Sequence, residues 1–533
     1  MPARPSTYLL TAAMLLSAAP LHGATDGNVA DSVVSLSQSA TVKGWIQGGL
    51  TQIFRSDAAT GNPAAMPSFL PFSTTSLGAV GQLSATGRTQ PVESGTGEMT
   101  GDITAASYRH LGNATTVWGN ARFHAGKIKD VAWSNSADYE LTGPYVIGDP
   151  TGGDLTCRSY DFGGGYAGES GRWTWGVEAS YRAEIDYRGR DPRDKIIVSD
   201  LRASLGGSFR PATSRLAIGL SGEVRVYNQN AAVEFYNPVN DIPTYAMTGL
   251  GSYYPRFSGN SGRNTAYSGV GFGMAADLFP VVQAPLKPIR ARLEASTIRL
   301  RQYMRDFNNL ELTHTSTSSI SGEYGMLFGE LADAAGNVAY GFTVSGQFSR
   351  KTGTENLLGT STGNTYPKIG ERENYHRSVF NARVTLPVEI HPSGNDRLGL
   401  SVAAAFGSIS ESINEPLRKV SATHTTPSLR GDWWHRIHNG AFLAIGMEVC
   451  RRFTTPGTVR LDGLDADTPL GMAVERNVAI ITSDVTSYGV SARMEFPLVD
   501  SASLYVKAHW NRDDFSRRCG SADYASVAVG INL

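Results

Sequence analysis

The chain has 533 residues, 59 of them glycine, and 18% are charged, against about 25% in soluble proteins. A net charge of −1 argues against nucleic-acid binding and against attraction to anionic surfaces by charge alone. A soluble chain this long would divide into about three or four domains, yet no Pro- or Ser-rich linker, charge block or composition shift marks a boundary.

The first 24 residues read as an export signal. Arg4 is the only early charge, Leu9 to Leu21 is apolar, and Ala19 and Ala24 offer small residues for cleavage. That stretch is too short to cross a bilayer, no later run reaches the ~18 apolar residues of a membrane helix, and no cysteine follows either cleavage site. The mature chain is therefore expected to be exported, neither helix-anchored nor a lipoprotein. Residues 25–72 form an N-terminal periplasmic or plug segment, and 73–533 the main domain.

From there the dominant pattern has period two. Expected strands lie near 73–86, 98–111, 115–127 and 158–168. In "RWTWGVEASYRAEIDYR" (Arg172–Arg188), Trp173, Trp175, Val177, Ala179, Tyr181, Ala183, Ile185 and Tyr187 share one face, with polar residues on the other. Ile196–Arg210 and Arg215–Asn228 repeat the pattern across short turns, as in an antiparallel meander. Further strands follow near 264–279, 288–304, 312–331, 337–350, 375–390, 396–412, 425–437, 441–453, 480–497, 502–512 and 522–533. The total is about 18.

The connections are informative as well. Long ones (128–157, 229–263, 351–374, 454–479) alternate with short ones such as "RPATS", "HPSGND" and "IHNG", and every long one falls on the same side of an up-and-down meander. A sandwich or propeller has no reason to sort loops by side, and no propeller period is present. The fold class expected is all-β: a transmembrane antiparallel up-and-down β-barrel of about 16–18 strands, with lipid outside, charge inside, and both termini periplasmic in the outer membrane of a Gram-negative-type bacterium. Trp173, Trp175, Tyr181 and Tyr187 are then candidates for the aromatic girdles. The last strand, "DYASVAVGINL", alternates in the same way. It resembles the C-terminal strand that barrels present to their insertion machinery, although that pattern usually ends in an aromatic and this one ends in Leu533.

The stretches "GPYVIGDPTGGD" (Gly143–Asp154), "YDFGGGYAG", "YRAEIDYRGRDPRDKIIVSDLRASLGGSF" and "GLGSYYPRF" (Gly249–Phe257) resemble an uncharacterised family of outer-membrane β-barrel proteins. That resemblance implies the barrel and its address, and no activity. A weaker one rests on "GNPAAMPSF" (Gly61–Phe69), which is similar to the Asn-Pro-Ala element of the long-chain fatty-acid transporter class, where an N-terminal segment forms a hatch. A plain turn before the first strand is the alternative.

Candidate site residues follow from the polar faces. Glu178, Arg182, Glu184, Asp186, Asp200, Arg202, Glu223 and Arg225 face the lumen, joined by Arg290, Arg292 and Glu294. A phase slip near Ser296, read as a bulge, would add Arg299 and Arg301. Such a set forms either a polar conduit or a mixed-sign network that braces the wall; mixed signs disfavour strong ion selectivity. In the loop 229–263, Phe235, Tyr236, Tyr245, Tyr253, Tyr254 and Phe257 either bind a sugar, peptide or protein, or pack a lid. "GDPTGGD" lacks the spacing of a calcium loop and reads as a surface turn. His435 and His438 make a poor metal pair on a strand, Cys157, Cys450 and Cys519 are too few for a disulfide framework, and no cofactor is expected. The leading function is a channel or transporter for an unidentified solute, alone or with a partner. A non-conducting scaffold or subunit of a surface complex is the alternative, and an outer-membrane hydrolase using a serine nucleophile comes third. Expected partners are the lipid bilayer, the barrel-insertion machinery and a candidate outer-membrane or surface lipoprotein, with no nucleic acid.

Overall fold

The computed structural model describes residues 39–533 except 213, 238, 240–241, 282–287, 330–335, 364, 500 and 517–518; the export signal falls outside the described residues. Among these, eighteen antiparallel strands hydrogen-bond into one sheet that closes on itself. The meander runs from Thr74–Ala85 to Gly520–Asn532, and closure comes from pairing Ser76–Ala85 with Asn532–Asp523. Every strand thus has two neighbours, which removes the edges a meander would expose. Among the described residues no helix is long and apolar enough to cross a membrane.

The outward face is apolar. On Trp173–Tyr187 the odd positions point out, and Trp173 is 63% exposed, a value that makes sense only against lipid. Trp173 stacks on Phe209 of the next strand (4.7 Å) and Trp175 on Tyr166 (5.2 Å), forming a girdle at the end with short turns. Tyr181 lies mid-strand, and Tyr187 lies at the far end opposite Lys195. Val177 faces out opposite Leu205, whereas Glu178 faces in opposite Ser204. Val177→Arg is therefore expected to lower stability by about 2–4 kcal/mol in urea titrations of the vesicle-inserted protein. Glu178→Arg is expected to cost far less, and equal losses would mean that the faces are reversed.

Connections sort by side. The long ones at 132–152, 235–262 and 462–484 share one end with the shorter 86–96 and 359–367, while 112–114, 171–172, 210–215, 391–395 and 437–441 lie at the other. Strand ends on the long-loop side differ from those expected. Val338–Leu358, Lys368–Ile390, Arg418–Arg436 and Phe442–Leu461 run past the lipid belt, so 351–374 shrinks to the turn 359–367. Beyond the belt both faces meet polar surroundings, and alternation fades as a signal. The strand expected from 480 starts at Val485, because Pro469–Ile481 is a helix, opened by Pro469 and by Thr468 Oγ1 accepting from Gly471 N (3.1 Å).

The bulge expected at Ser296 is absent. Ile289–Gln302 pairs without interruption to Met326–Thr313, and the register shifts only after Gln302. Arg299 and Arg301 consequently point outward and are exposed, while Ile298 and Leu300 turn inward against Tyr227 and Tyr267. The period never broke; the polarity on each side of the wall changed.

Candidate functional site

Inside the barrel the polar faces of Ile289–Met304, Leu310–Gly329, Val338–Leu358 and Lys368–Ile390 line a half-open cavity of about 320 Å³ on the lumen wall. Its walls include Arg292, Glu294, Glu323, Gln347, Asn381 and Arg383. Most of these charges are spoken for. Arg292 pairs with Asp277 (2.6 Å) and Glu294 (3.0 Å), and Glu323 pairs with Arg290. Among the described residues Arg383, exposed toward the lumen, is hydrogen-bonded only to the hydroxyls of Thr385 and Ser428, each at 3.4 Å. Among the described residues no group of three or more His, Cys, Asp or Glu is placed to hold a metal ion.

The short-turn end is occupied by the N-terminal segment. Helices Ala40–Gln47 and Leu50–Ala59 and the 3-10 turn Pro63–Ser68 pack on the inner wall. Trp45, 2% exposed, sits edge-on to Trp434 and Phe442 with the Arg397 and Arg436 guanidiniums over its ring at 4.6 and 4.3 Å. Asp57 accepts from Arg290 (2.9 Å), and Glu389 accepts from Leu50 N (2.8 Å). Asn62, 1% exposed, donates to Asp277 (2.8 Å) and accepts from Ala64 N (2.9 Å). The Asn62–Ala64 turn fits against three glycines on neighbouring strands, Gly176, Gly206 and Gly219. A Cβ on Gly219 would lie 2.6 Å from Asn62 Nδ2, and Cβ atoms on the other two would overlap Pro63 and Asn62.

The long-loop end is closed by chain that folds inward. Loop 132–152 crosses the lumen: Asp138 accepts from Tyr227 (2.8 Å) and pairs with Arg182, and the Tyr145 carbonyl accepts from Tyr267 (2.9 Å) and Gln302 (3.1 Å). Its short helix Tyr139–Thr142 ends on Lys351, whose ammonium donates to the carbonyls of Glu140 (3.0 Å), Leu141 (2.8 Å) and Gly143. Burial works to raise the Glu140 carboxyl, but the Arg377 guanidinium paired with it, helped by Lys351, holds it below the usual glutamate range. Above this, Ile147–Gly148, Thr244–Gly249 and Ser252–Gly259 form a three-stranded sheet. The helix Pro469–Ile481 ties down 86–96 through Arg476 to the Gly87 and Gln90 carbonyls and through Asn477 to Glu93.

The expected lumen charges fall into two groups. Asp200 gathers Arg225 (2.8 Å), Arg202 (3.7 Å) and Arg182 (3.9 Å), and Arg182 also meets Glu184. Glu178, Glu223 and the buried Asp186 share that inner face of the wall. Arg290, Arg292 and Glu294 instead border the cavity and the N-terminal segment. In the aromatic loop, Phe257 is buried against Phe307 (5.2 Å) and Tyr366 (5.6 Å), with Phe235 and Tyr254 packed on the same cluster. Tyr245 stacks on Trp133 (5.5 Å) and meets Tyr253 edge-on, whereas Tyr236 is 80% exposed beneath Arg193. The "GDPTGGD" stretch is not a surface turn throughout: Asp149 is buried and joins Arg188 (3.1 Å), which also pairs with Asp194 (2.7 Å). Asp277, Glu323 and Arg383 went unremarked although they occupy polar positions of strands that alternation reveals. Asp138, Glu140, Lys351 and Arg377 carry no comparable signal, since their partners are remote in sequence.

A model of a family of unknown function (DUF6850) matches residues 63–533. No curated protein matches the chain. Among solved structures, the chain is similar to the ferric yersiniabactin uptake receptor FyuA from Yersinia pestis, at 9% identity over 87% of this chain and 80% of that one, with a TM-score of 0.39. It is similar to a Pseudomonas aeruginosa FadL homologue at 12% identity over 93% and 98%, TM-score 0.33. For BauA, the ferric preacinetobactin receptor from Acinetobacter baumannii, the values are 9%, 86% and 80%, and 0.35. Likeness at these scores carries no argument about cargo or mechanism, and the barrel rests on its own strand pairing.

Proposed function

We propose that this chain, which belongs to the family of unknown function DUF6850, is a gated outer-membrane transporter for small polar solutes. On this reading the long-loop side faces outward, both termini are periplasmic, and residues 39–72 are the inner gate. The observation that carries it is the half-open cavity of about 320 Å³, lined by Arg292, Glu294, Glu323, Gln347, Asn381 and Arg383, on strands that meet the N-terminal segment at Arg290 on one side of it and loop 132–152 at Lys351 on the other. A wall that only needed bracing would pair its charges; Arg383 is instead left to two hydroxyls and offers a docking point for a solute's anionic group. Both closures combine ion pairs and hydrogen bonds with apolar packing, Met66, Phe69 and Leu70 on Tyr108 and Phe279 at one end and Tyr145 on Tyr375 and Ile413 at the other, so releasing either is a discrete step rather than a free fluctuation.

The test is solute entry into proteoliposomes. The full chain is expected to admit a small sugar or amino acid slowly, and deletion of residues 39–72 to raise the rate. Adding Lys351→Met, which strips the donor from three carbonyls of loop 132–152, is expected to raise it further. If neither the deletion nor the double change admits solute while the barrel remains folded, the cavity is not part of a conduit and the scaffold reading replaces it.

A further inference from the structure

The outward arginines carry a second inference. On the outer wall the register row Ala295–Ile320–Phe348–Phe380 is apolar, and Ile320 and Phe348 are exposed to lipid. The next row toward the long-loop side is Thr297–Ser318–Arg350–Ser378, then Arg299–Ser316–Thr352–His376, then Arg301–His314–Thr354–Glu373. The wall changes from hydrocarbon-compatible to cationic and hydroxylic within a single step. Strands lie ~4.8 Å apart, so Arg350 stands about 10 Å from the Arg299–Arg301 strand with the serines between them. All three guanidiniums are exposed. Among the described residues neither Arg299 nor Arg350 has a carboxylate within the 4.0 Å of an ion pair. The carboxylates nearby are Glu311, which acts on Arg301, Glu371, which is paired with Lys368 and lies near Arg299, and Glu373, which stands opposite Thr354 and meets His376 (3.5 Å). Arg299, Arg301, Arg350 and Lys368 against Glu311, Glu371 and Glu373 leave the patch one positive charge in excess, with Arg350 farthest from any of the three carboxylates in the register.

Unpaired arginines beside an apolar belt cost stability unless something anionic meets them at that depth. Planar guanidiniums with interleaved hydroxyls match a phosphate monoester, which accepts two parallel N–H bonds from each fork and further bonds from serine or threonine. The apolar row directly beneath would receive acyl chains. We infer that this patch binds a phosphorylated, acylated sugar lipid of the external leaflet, its phosphates on Arg299, Arg301 and Arg350 and its chains along Ile320 and Phe348. The inference rests on the orientation proposed above, because only the long-loop side brings the patch to that leaflet.

The test is native mass spectrometry of the full-length protein in detergent, with lipid A, dephosphorylated lipid A, phosphatidylglycerol or inorganic phosphate added. Lipid A adducts are expected to survive. They should fall about tenfold or more in R299S/R301S/R350S, three exposed charge contacts together reaching that size. R158S, which removes an exposed cation elsewhere on the outer wall, is expected to leave binding unchanged. Should the triple variant fail to insert, R350S alone is expected to lower binding about threefold. Undiminished adducts in the triple variant, equal retention of dephosphorylated lipid A or phosphatidylglycerol, or an equal loss in R158S would each overturn the site. Inorganic phosphate displacing the lipid would overturn the role of the acyl chains. Orientation is read separately, by labelling a cysteine placed at Pro211 on intact cells, so a wrong orientation and a wrong site fail in different assays.

Discussion

Gly206→Val should unseat the N-terminal segment while leaving the barrel intact, and Gly207→Val, one residue along, should do neither. Gly206 faces the lumen, where an added Cβ would overlap Asn62 Oδ1 and come within 3.0 Å of Ala64 N. Neither atom can yield easily, since Asn62 is held by Asp277 and the turn backbone lies against Gly176. Overpacking of this kind costs about 1–3 kcal/mol, enough to shift a seated-to-released equilibrium about five- to 150-fold. Strand pairing does not suffer, because valine favours strands and Gly206 pairs through its backbone with Gly176 and Ser221. Gly207 points the other way, and a Cβ there meets nothing within 4 Å. Trypsin reads the difference at Arg55: Gly206→Val should accelerate cleavage at least about fivefold, with the heat-modifiable band unchanged. Equal protection of both variants would show that the glycines are not what seats the turn. Solute entry through the same variants then asks whether releasing the segment opens a path, an outcome that also depends on loop 132–152.

The barrel was legible in the sequence because its two strongest signals are local. Period two survives in Trp173–Tyr187 since every residue there meets either lipid or lumen, and loop lengths sort by side without knowledge of any contact. Both signals give out where the surroundings change. Polarity marks the lumen only as long as the other face meets hydrocarbon. Above the belt it does not, which is why Arg299 and Arg301 looked like lumen residues after a bulge when they face outward in an unbroken register. The closures were beyond reach for a different reason. Glu140 and Arg377 meet across 237 positions and Asn62 and Asp277 across 215, and parity says which way a residue points, not what it meets. The Asn-Pro-Ala element could be noticed as a motif, but its seat of three glycines on Trp173–Tyr187, Arg193–Phe209 and Leu216–Glu234 appears only when those strands lie side by side.

Deleting Ser526–Leu533 should abolish the barrel altogether, a larger effect than any single substitution. Among the described residues the strand Gly520–Asn532 joins Ala502–Phe515 to Thr74–Ala85, pairing Ser503–His509 on one side and Ser76–Gln82 on the other along the deleted stretch. Its loss leaves two rows of backbone N–H and C=O groups facing hydrocarbon, and each unsatisfied group there costs several kcal/mol. No side-chain repacking makes up that sum. Sliding the remaining strands to close a smaller barrel would shift the register and turn outward apolar residues of the first strand, such as Leu77 and Leu83, toward the wrong solvent. The truncated chain should therefore show no heat-modifiable migration and no protease-resistant core in membranes. Leu533→Phe should be tolerated, because Leu533 is held through its backbone, donating to the Thr75 carbonyl (2.7 Å) and accepting from Thr75 N (3.0 Å), while its side chain is 51% exposed. The two outcomes together separate closure from recognition: a truncated chain that inserts would refute closure by this strand, and a failed Leu533→Phe would mean that the terminal side chain itself is read during insertion.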